Sequence, residues 1–199
     1  MLRTIRTMAW VAIAGLAVAA ALAATGVLPG LRGTTQLPLS ASIGGPFALT
    51  SHKGARITSD QLKGKPFTVF FGFTYCPDVC PTTLLDLTNL IKDLGPDADK
   101  IGYYFVTVDP ARDTPEQLTL YLSSFDNRIT GLVGTAAELA GIAKAYRAIY
   151  KRVETKDGYT MDHTATMYLM DRTGAFAGTI DYQEQHATAL AKLKKLAAR

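Results

Sequence analysis

Cysteine is scarce in this chain of 199 residues, which contains only Cys76 and Cys80, four positions apart. A disulfide between them would close a very short loop and would restrain little of the unfolded chain. A structural cross-link is therefore a poor explanation for the pair. A metal-binding or redox site explains it better.

The chain also lacks a large excess of charge of either sign. Its formal net charge is +4, and two positive charges, Arg3 and Arg6, precede the first apolar run. Without those two, 19 of the 21 basic residues remain against 17 acidic ones. The late lysines at 192, 194 and 195 fall in an amphipathic helical pattern, which a solvated helix face explains. Because no clustered basic surface is evident, nucleic-acid binding is not expected.

One long apolar run is present near the amino terminus. Residues 8–28 contain a single clearly polar residue, Thr25, and as a helix they would be about 31 Å long, enough to cross a membrane. The two preceding arginines predict that the start of the chain stays in the cytoplasm and that the rest is exported. A cleaved signal peptide is the alternative, although its apolar core is usually shorter.

These features predict four segments. They are a cytoplasmic tail at residues 1–7, a transmembrane anchor at 8–28, a linker rich in glycine, proline and threonine at 29–40, and a domain at 41–199. We expect a single pass through the inner membrane, with the domain in the periplasm or the equivalent intermembrane space.

Strand-like and helix-like patterns alternate along the rest of the sequence. Continuous apolar runs at 66–73 and 101–108 predict buried strands, and apolar residues at helical spacing predict helices after them. The full prediction is a hairpin at 47–50 and 56–58, strands at 66–73 and 101–108, helices at about 80–94 and from 114, a strand at 129–133, a helix from 135, a polar loop or hairpin at 151–162, strands at 166–170 and 175–180, and a last helix at 187–199. This order is that of a thioredoxin-like α/β sandwich, with a central β-sheet flanked by helices.

The two cysteines lie where a predicted strand ends and a helix begins. Ligands of open α/β sheets collect at the carboxyl ends of strands, and a helix amino terminus favours thiolates. In a helical turn, residues i and i+4 lie on one face, about 5–6 Å apart at Cβ. Two sulfurs so placed could bind one metal ion or form a disulfide, and the spacing alone allows both.

A third ligand would come from one of three histidines. His52 falls in a predicted hairpin turn and His186 at the start of the last helix, whereas His163 lies where a strand begins. Two thiolates and an imidazole suit Cu(I) and also zinc. Structural zinc sites normally have four protein ligands, and only three strong candidates are present, so the residues favour copper slightly.

Three segments together resemble the Sco/SenC family of copper chaperones for cytochrome c oxidase assembly. They read GFTYCPDVCP at 72–81, VDP at 108–110 with RDTP at 112–115, and DHT at 162–164 leading into MYL at 167–169. They occur in the family's order and at family-like separations. The likeness extends from about residue 38 to the end.

The resemblance implies one copper ion per domain, bound by Cys76, Cys80 and His163 as metal ligands. It implies delivery of copper to the dinuclear copper site of cytochrome c oxidase, or reduction of that site's cysteines. The expected partners are the oxidase subunit that carries this site and an upstream periplasmic copper donor. Such a protein is a metal carrier rather than an enzyme, with thiol–disulfide reductase activity as the alternative.

Three rival functions fit the residues less well. Ordinary thiol–disulfide oxidoreductases of this fold class use C-x-x-C and a facing cis-proline, but the last proline here is Pro115. This argues against general disulfide exchange, though not against reduction of one exported partner. A peroxidase would need a cysteine in another setting, and a scaffold would leave the ligand trio unexplained.

Other side chains near the predicted site have no assigned role. Asp78, Asp109 and Asp162 are acids that could modulate the metal, although a turn-capping role suits Asp109 equally well. Among the methionines, those at 167 and 170 lie in a strand run, where core packing is expected, and Met161 is not predicted as a ligand.

Overall fold

The computed structural model describes Trp10, Ala14 and residues 43–198. Among these residues, none of the helices has the length and apolar character needed to cross a membrane. The predicted tail, anchor and linker lie outside the described residues, apart from Trp10 and Ala14.

Residues 43–198 form nine strands, four α-helices and one 3-10 helix. Their bounds are β1 (Ala48–Ser51), β2 (Arg56–Thr58), β3 (Phe67–Gly72), α1 (Val79–Leu94), the 3-10 helix (Gly95–Lys100), β4 (Gly102–Thr107), α2 (Pro115–Leu122), β5 (Ile129–Val133), α3 (Ala136–Tyr146), β6 (Tyr150–Thr155), β7 (Gly158–His163), β8 (Met167–Met170), β9 (Phe176–Ile180) and α4 (His186–Ala197).

Seven strands form one mixed sheet in the order β2-β1-β5-β4-β3-β8-β9. The central pairs β3/β4 and β4/β5 are parallel, and the outer pairs are antiparallel. All six residues of β3 are buried, because helices cover both faces of the sheet at its centre. The apolar run that predicted this strand is thus a consequence of its central position.

The two faces of β3 contact different helices. Phe71 packs edge-on against Tyr146 of α3, at 5.9 Å between ring centroids. Its neighbour Gly72 faces the other way, towards Cys80 of α1. The buried residues of α1 recur at helical spacing, and this helix packs against α4. Helices on both faces of a mixed sheet confirm the predicted thioredoxin-like α/β sandwich.

Two helices begin at threonine side chains that cap them. The Thr135 hydroxyl accepts a hydrogen bond from the Glu138 amide, and the Glu138 carboxylate accepts one from the Thr135 amide, which completes a capping box at α3. Thr114 accepts from the Gln117 amide at the start of α2. Helix α1 ends at Leu94, as predicted, and the chain continues as a 3-10 helix that contains Pro96 near its start.

The polar segment predicted as a loop or hairpin is a hairpin that forms its own two-stranded sheet. Strands β6 and β7 pair in antiparallel register from Tyr150 opposite His163 to Thr155 opposite Gly158. No residue of either strand is fully buried. The hairpin therefore lies beside the main sheet and contributes little to the core.

Candidate metal centre

Cys80 occupies the first turn of α1, on the side that faces the sheet, and its exposed fraction is 0%. Gly72 of β3 makes room for it. A Cβ atom on residue 72 would lie 2.8 Å from the Cys80 sulfur and 2.6 Å from the Phe105 ring. Only glycine therefore allows this sulfur to approach the strand so closely.

Cys76 lies one helical turn before Cys80, in the loop between β3 and α1, and is partly buried. Its sulfur accepts a hydrogen bond from the Cys80 amide at 3.3 Å. Because Asp78 at the N-cap makes no side-chain capping bond, the sulfur is the side-chain acceptor for this amide in the first turn. An anionic sulfur is favoured at this position by the partial positive charge of the helix amino terminus.

The two cysteine thiols differ strongly in acidity. A hydrogen bond from Cys80 lowers the pKa of the Cys76 thiol to about 4. The same hydrogen bond, together with burial, raises the pKa of Cys80. Cys76 is therefore the thiolate of the pair at neutral pH, and a metal ion must displace the Cys80 proton to gain the second sulfur.

His163 is the last residue of β7 and brings an imidazole to the cysteines from the hairpin. Its Nε2 lies 3.2 Å from the Cys80 sulfur, and its Nδ1 lies 3.0 Å from the Thr164 carbonyl oxygen. A proton on Nδ1 donated to that carbonyl leaves the Nε2 lone pair facing the sulfurs, which is the tautomer a metal ligand requires. The rings of Phe70 and Phe73 contact the imidazole edge-on.

The structure thus brings all three predicted ligand residues together. The ligand atoms of Cys76, Cys80 and His163 lie within 4.8 Å of one another. No other group of three or more histidine, cysteine or acidic side chains converges in this way within residues 43–198. Two sulfurs and one nitrogen form a soft donor set, which fits Cu(I) and also accepts Cu(II) or zinc.

The other two histidines lie elsewhere, as predicted. His52 is in the β1–β2 turn, where its Nδ1 accepts a hydrogen bond from the Gly131 amide at 2.9 Å. His186 begins α4 and its Nε2 lies 2.8 Å from an Asp93 carboxylate oxygen. Each imidazole therefore already has a local partner.

The acids that the sequence singled out differ in their surroundings. Asp78 and Asp162 are exposed. Asp109 is buried, and its carboxylate accepts hydrogen bonds from Arg112 and from the Tyr159 hydroxyl. Its oxygens are thus engaged by protein donors.

Sequence reasoning missed Asp113 as part of the site. This carboxylate is buried behind the cysteine loop and accepts hydrogen bonds from the Thr74 amide, the Thr74 hydroxyl and the Thr107 hydroxyl. Burial raises its pKa. In the sequence, its position soon after strand β4 indicates that it lies at the sheet edge where the cysteines are.

The methionines also separate by position. Met167 and Met170 are buried in β8, so the expected core packing is confirmed. Met161 is partly buried and lines, with Cys76 and His163, an open pocket of about 330 Å³. This pocket therefore borders two of the three ligand residues.

Curated mitochondrial proteins of yeast and human are similar to this chain in sequence. Protein SCO2, mitochondrial, from Saccharomyces cerevisiae is 38% identical over 160 residues, covering 78% of this chain and 53% of that protein. The mitochondrial SCO1 homolog of Homo sapiens is 38% identical over 152 residues, covering 72% of this chain and 48% of that protein. This chain therefore spans about half the length of these curated relatives.

Two similar solved structures contain copper. Bradyrhizobium japonicum ScoI with copper bound is 49% identical, with a TM-score of 0.73 over 78% of this chain and 99% of that chain. Yeast Sco1 with copper bound is 35% identical, with a TM-score of 0.71 over 77% and 87% of the two chains. Copper is thus the metal held by similar proteins, and it suits the donor set here. The sequence matches the SCO1/SenC family over residues 35–198, and the chain belongs to that family.

Proposed function

We propose that this protein is a copper chaperone that holds one copper ion on Cys76, Cys80 and His163. It would deliver that ion to the dinuclear copper site of cytochrome c oxidase during assembly, or keep the thiols of that site reduced. The observation that carries the proposal is the convergence of the three ligand atoms within 4.8 Å.

The chain's own residues suggest how copper is taken up as cargo. The Cys76 thiolate is partly exposed on the pocket side and supplies the first negatively charged sulfur. Cys80 must lose its proton as the ion reaches it, so uptake releases a proton. The imidazole, oriented by the Thr164 carbonyl, completes three-fold ligation.

Release is favoured by the position of the cluster at the sheet edge. One side opens into the pocket lined by Cys76, Pro77 and His163, so thiolates of a partner could replace these ligands one at a time. The buried Cys80 would be the last ligand to leave. A fully enclosed metal site would not permit such exchange.

The predicted anchor completes the proposal. Residues 8–28 would hold the domain at the inner membrane, with residues 41–199 in the periplasm or the equivalent intermembrane space. The mitochondrial names of the yeast and human relatives are consistent with that kind of compartment.

Complementation tests this function. Cells without the endogenous copy would receive the full chain, Cys76→Ser, or Thr82→Ser as a control in the first turn of α1. We expect the full chain and the control to restore oxidase activity and the optical spectrum of its dinuclear copper site, and Cys76→Ser to restore neither. Full restoration by Cys76→Ser would contradict the proposal.

A thiol–disulfide reductase acting on one exported partner is the second candidate. The lowered pKa of Cys76 beside a second thiol favours it, because the attacking species in disulfide exchange is a thiolate. Mixing the reduced domain with an oxidised peptide from the oxidase copper site separates the two candidates. Peptide reduction without any copper transfer would favour the reductase.

A further inference from the structure

The hairpin that carries His163 depends on few contacts for its position. Strands β6 and β7 pair only with each other within the described residues, and neither contains a fully buried residue. At its base, the Thr164 amide donates to the Ile149 carbonyl and the Ile149 amide donates to the Thr164 hydroxyl, each at 2.9 Å. Tyr150 and Met161 also pack partly against the core, and a second polar contact would fix the orientation of the rest of the ribbon.

Arg112 provides that second contact. It follows β4, and its Nη1 donates a hydrogen bond to the Tyr159 carbonyl of β7 at 2.9 Å. Its guanidinium carbon also lies 3.7 Å from the centre of the Tyr159 ring. The Nε atom donates to Asp109, which also accepts a hydrogen bond from the Tyr159 hydroxyl at 2.9 Å. Arg112, Asp109 and Tyr159 therefore form a closed set of contacts, here called the hairpin clamp.

The same guanidinium reaches the cysteine loop. It lies 4.7 Å from the ring centre of Tyr75 and 5.8 Å from that of Phe73, the aromatic residues that precede Cys76. Its Nη2 is buried and has no hydrogen-bond acceptor among the described residues, so aromatic rings complete its surroundings. One side chain thus contacts the hairpin, the loop after β4 and the cysteine loop.

Tyr159 transmits this restraint to the imidazole. It lies four residues before His163 on the same strand, and alternate residues of a strand share a face. Fixing Tyr159 against Asp109 therefore fixes the face that points His163 at Cys80. Without the clamp, the remaining restraints on the imidazole would be the base contact at Thr164 and the rings of Phe70 and Phe73.

We propose that Arg112 is a positioning residue, which holds the His163-bearing hairpin against the cysteine loop. By keeping the imidazole in place, it strengthens the binding of Cu(II) by three ligands. The inference rests on the proposed function. Two thiolates are enough to bind Cu(I), whereas binding of Cu(II) depends more on the imidazole ligand. Loss of the clamp should therefore weaken Cu(II) binding more than Cu(I) binding.

Arg152 offers a matched control. Its guanidinium carbon is also 3.7 Å from the centre of the Tyr159 ring, and two such groups at this distance must occupy opposite faces. Its ion pair is with Glu154 of the same strand. Arg152→Ala thus removes an equal ring contact that does not tie the hairpin to the sheet.

The test compares hydrogen exchange and copper affinity in the full chain, in detergent. In reduced metal-free Arg112→Ala, we expect exchange over residues 150–163 to accelerate about ten-fold or more, with β3 and β4 unchanged. Competition with chelators should show Cu(II) affinity lower by about ten- to hundred-fold, and Cu(I) affinity changed by less than about three-fold. Arg152→Ala should match the wild type in all three measurements.

Tyr159→Phe serves as the milder variant if Arg112→Ala folds poorly. It keeps the ring and removes only the hydroxyl that donates to Asp109, so a smaller change in the same direction is expected. Equal behaviour of Arg112→Ala, Tyr159→Phe and Arg152→Ala would overturn the inference. So would faster hairpin exchange with unchanged Cu(II) affinity. If the wild type binds no copper, the proposed function fails, whereas unchanged hairpin exchange refutes the clamp itself.

Discussion

The two halves of the metal centre are built very differently. Cys76 and Cys80 lie at the junction of β3 and α1, next to a strand that is buried along its whole length. His163 comes from a separate two-stranded sheet with no fully buried residue. The sulfur ligands therefore share the stability of the core, whereas the position of the imidazole depends on the contacts that hold the hairpin. We expect Cu(I) affinity to depend mainly on the two sulfur ligands at the core. We expect Cu(II) affinity to depend also on the position of the hairpin that carries His163.

Removing a core sulfur should have the largest effect. Cys80→Ser should lower Cu(I) affinity by about a thousand-fold or more, because a hydroxyl is a poor ligand for a soft ion. Competition with a chromogenic Cu(I) chelator measures this, with Thr82→Ser as the control in the same helical turn. A loss of less than ten-fold would show that Cys80 is not a principal ligand.

Removing the imidazole should separate the two oxidation states. His163→Ala should lower Cu(II) affinity by about a hundred-fold and Cu(I) affinity by about ten-fold or less. His186→Ala, which removes a histidine paired with Asp93 on the surface, should change neither. Equal losses for Cu(I) and Cu(II) in His163→Ala would remove the proposed distinction between core and hairpin.

Crowding the sulfur should affect stability as well as binding. In Gly72→Ala, the new Cβ would meet the Phe105 ring and the Cys80 sulfur below 3.0 Å, so unfolding free energy should fall by about 1–3 kcal/mol. Gly141→Ala is the control, since its Cβ would have open space within a helix and should stabilise by about 0.5–1 kcal/mol. Urea denaturation of the reduced, metal-free protein measures both. Equal stability of the two variants would contradict the close approach at Gly72.

The smallest predicted effect concerns thiol reactivity. Because the pKa of Cys76 is lowered to about 4, its alkylation rate should stay nearly constant between about pH 8 and pH 6, where an ordinary thiol loses most of its reactivity. Cys80→Ala removes the hydrogen-bond donor, so the pKa of Cys76 should rise and the rate at low pH should fall. Iodoacetamide labelling with mass spectrometry follows Cys76 directly. A rate in the native protein that falls ten-fold per pH unit would contradict the lowered pKa.

The core half of the centre could be predicted well from sequence. The apolar run at 66–73 and the helical spacing after Cys80 depend on local patterns, and both elements are present near the predicted bounds. The place of the cysteines follows from the end of one element and the start of the next. Local periodicity was sufficient for this half.

The hairpin half could not be predicted to the same depth. Its strands are short of apolar residues, so the sequence allowed either a loop or a hairpin. The choice of His163 drew on the family resemblance, and the contacts of Arg112 with Tyr159 join residues 47 positions apart. The buried role of Asp113 likewise depends on Thr74, 39 positions earlier. Such contacts arise from tertiary packing and leave no periodic pattern.

X-ray absorption at the copper edge identifies the ligand atoms themselves. For the full chain loaded with one equivalent of Cu(I) and then oxidised, we expect two sulfur scatterers in both states and an imidazole contribution that is lost in His163→Ala. A copper environment of nitrogen and oxygen alone, or an imidazole signal that persists in His163→Ala, would contradict this expectation.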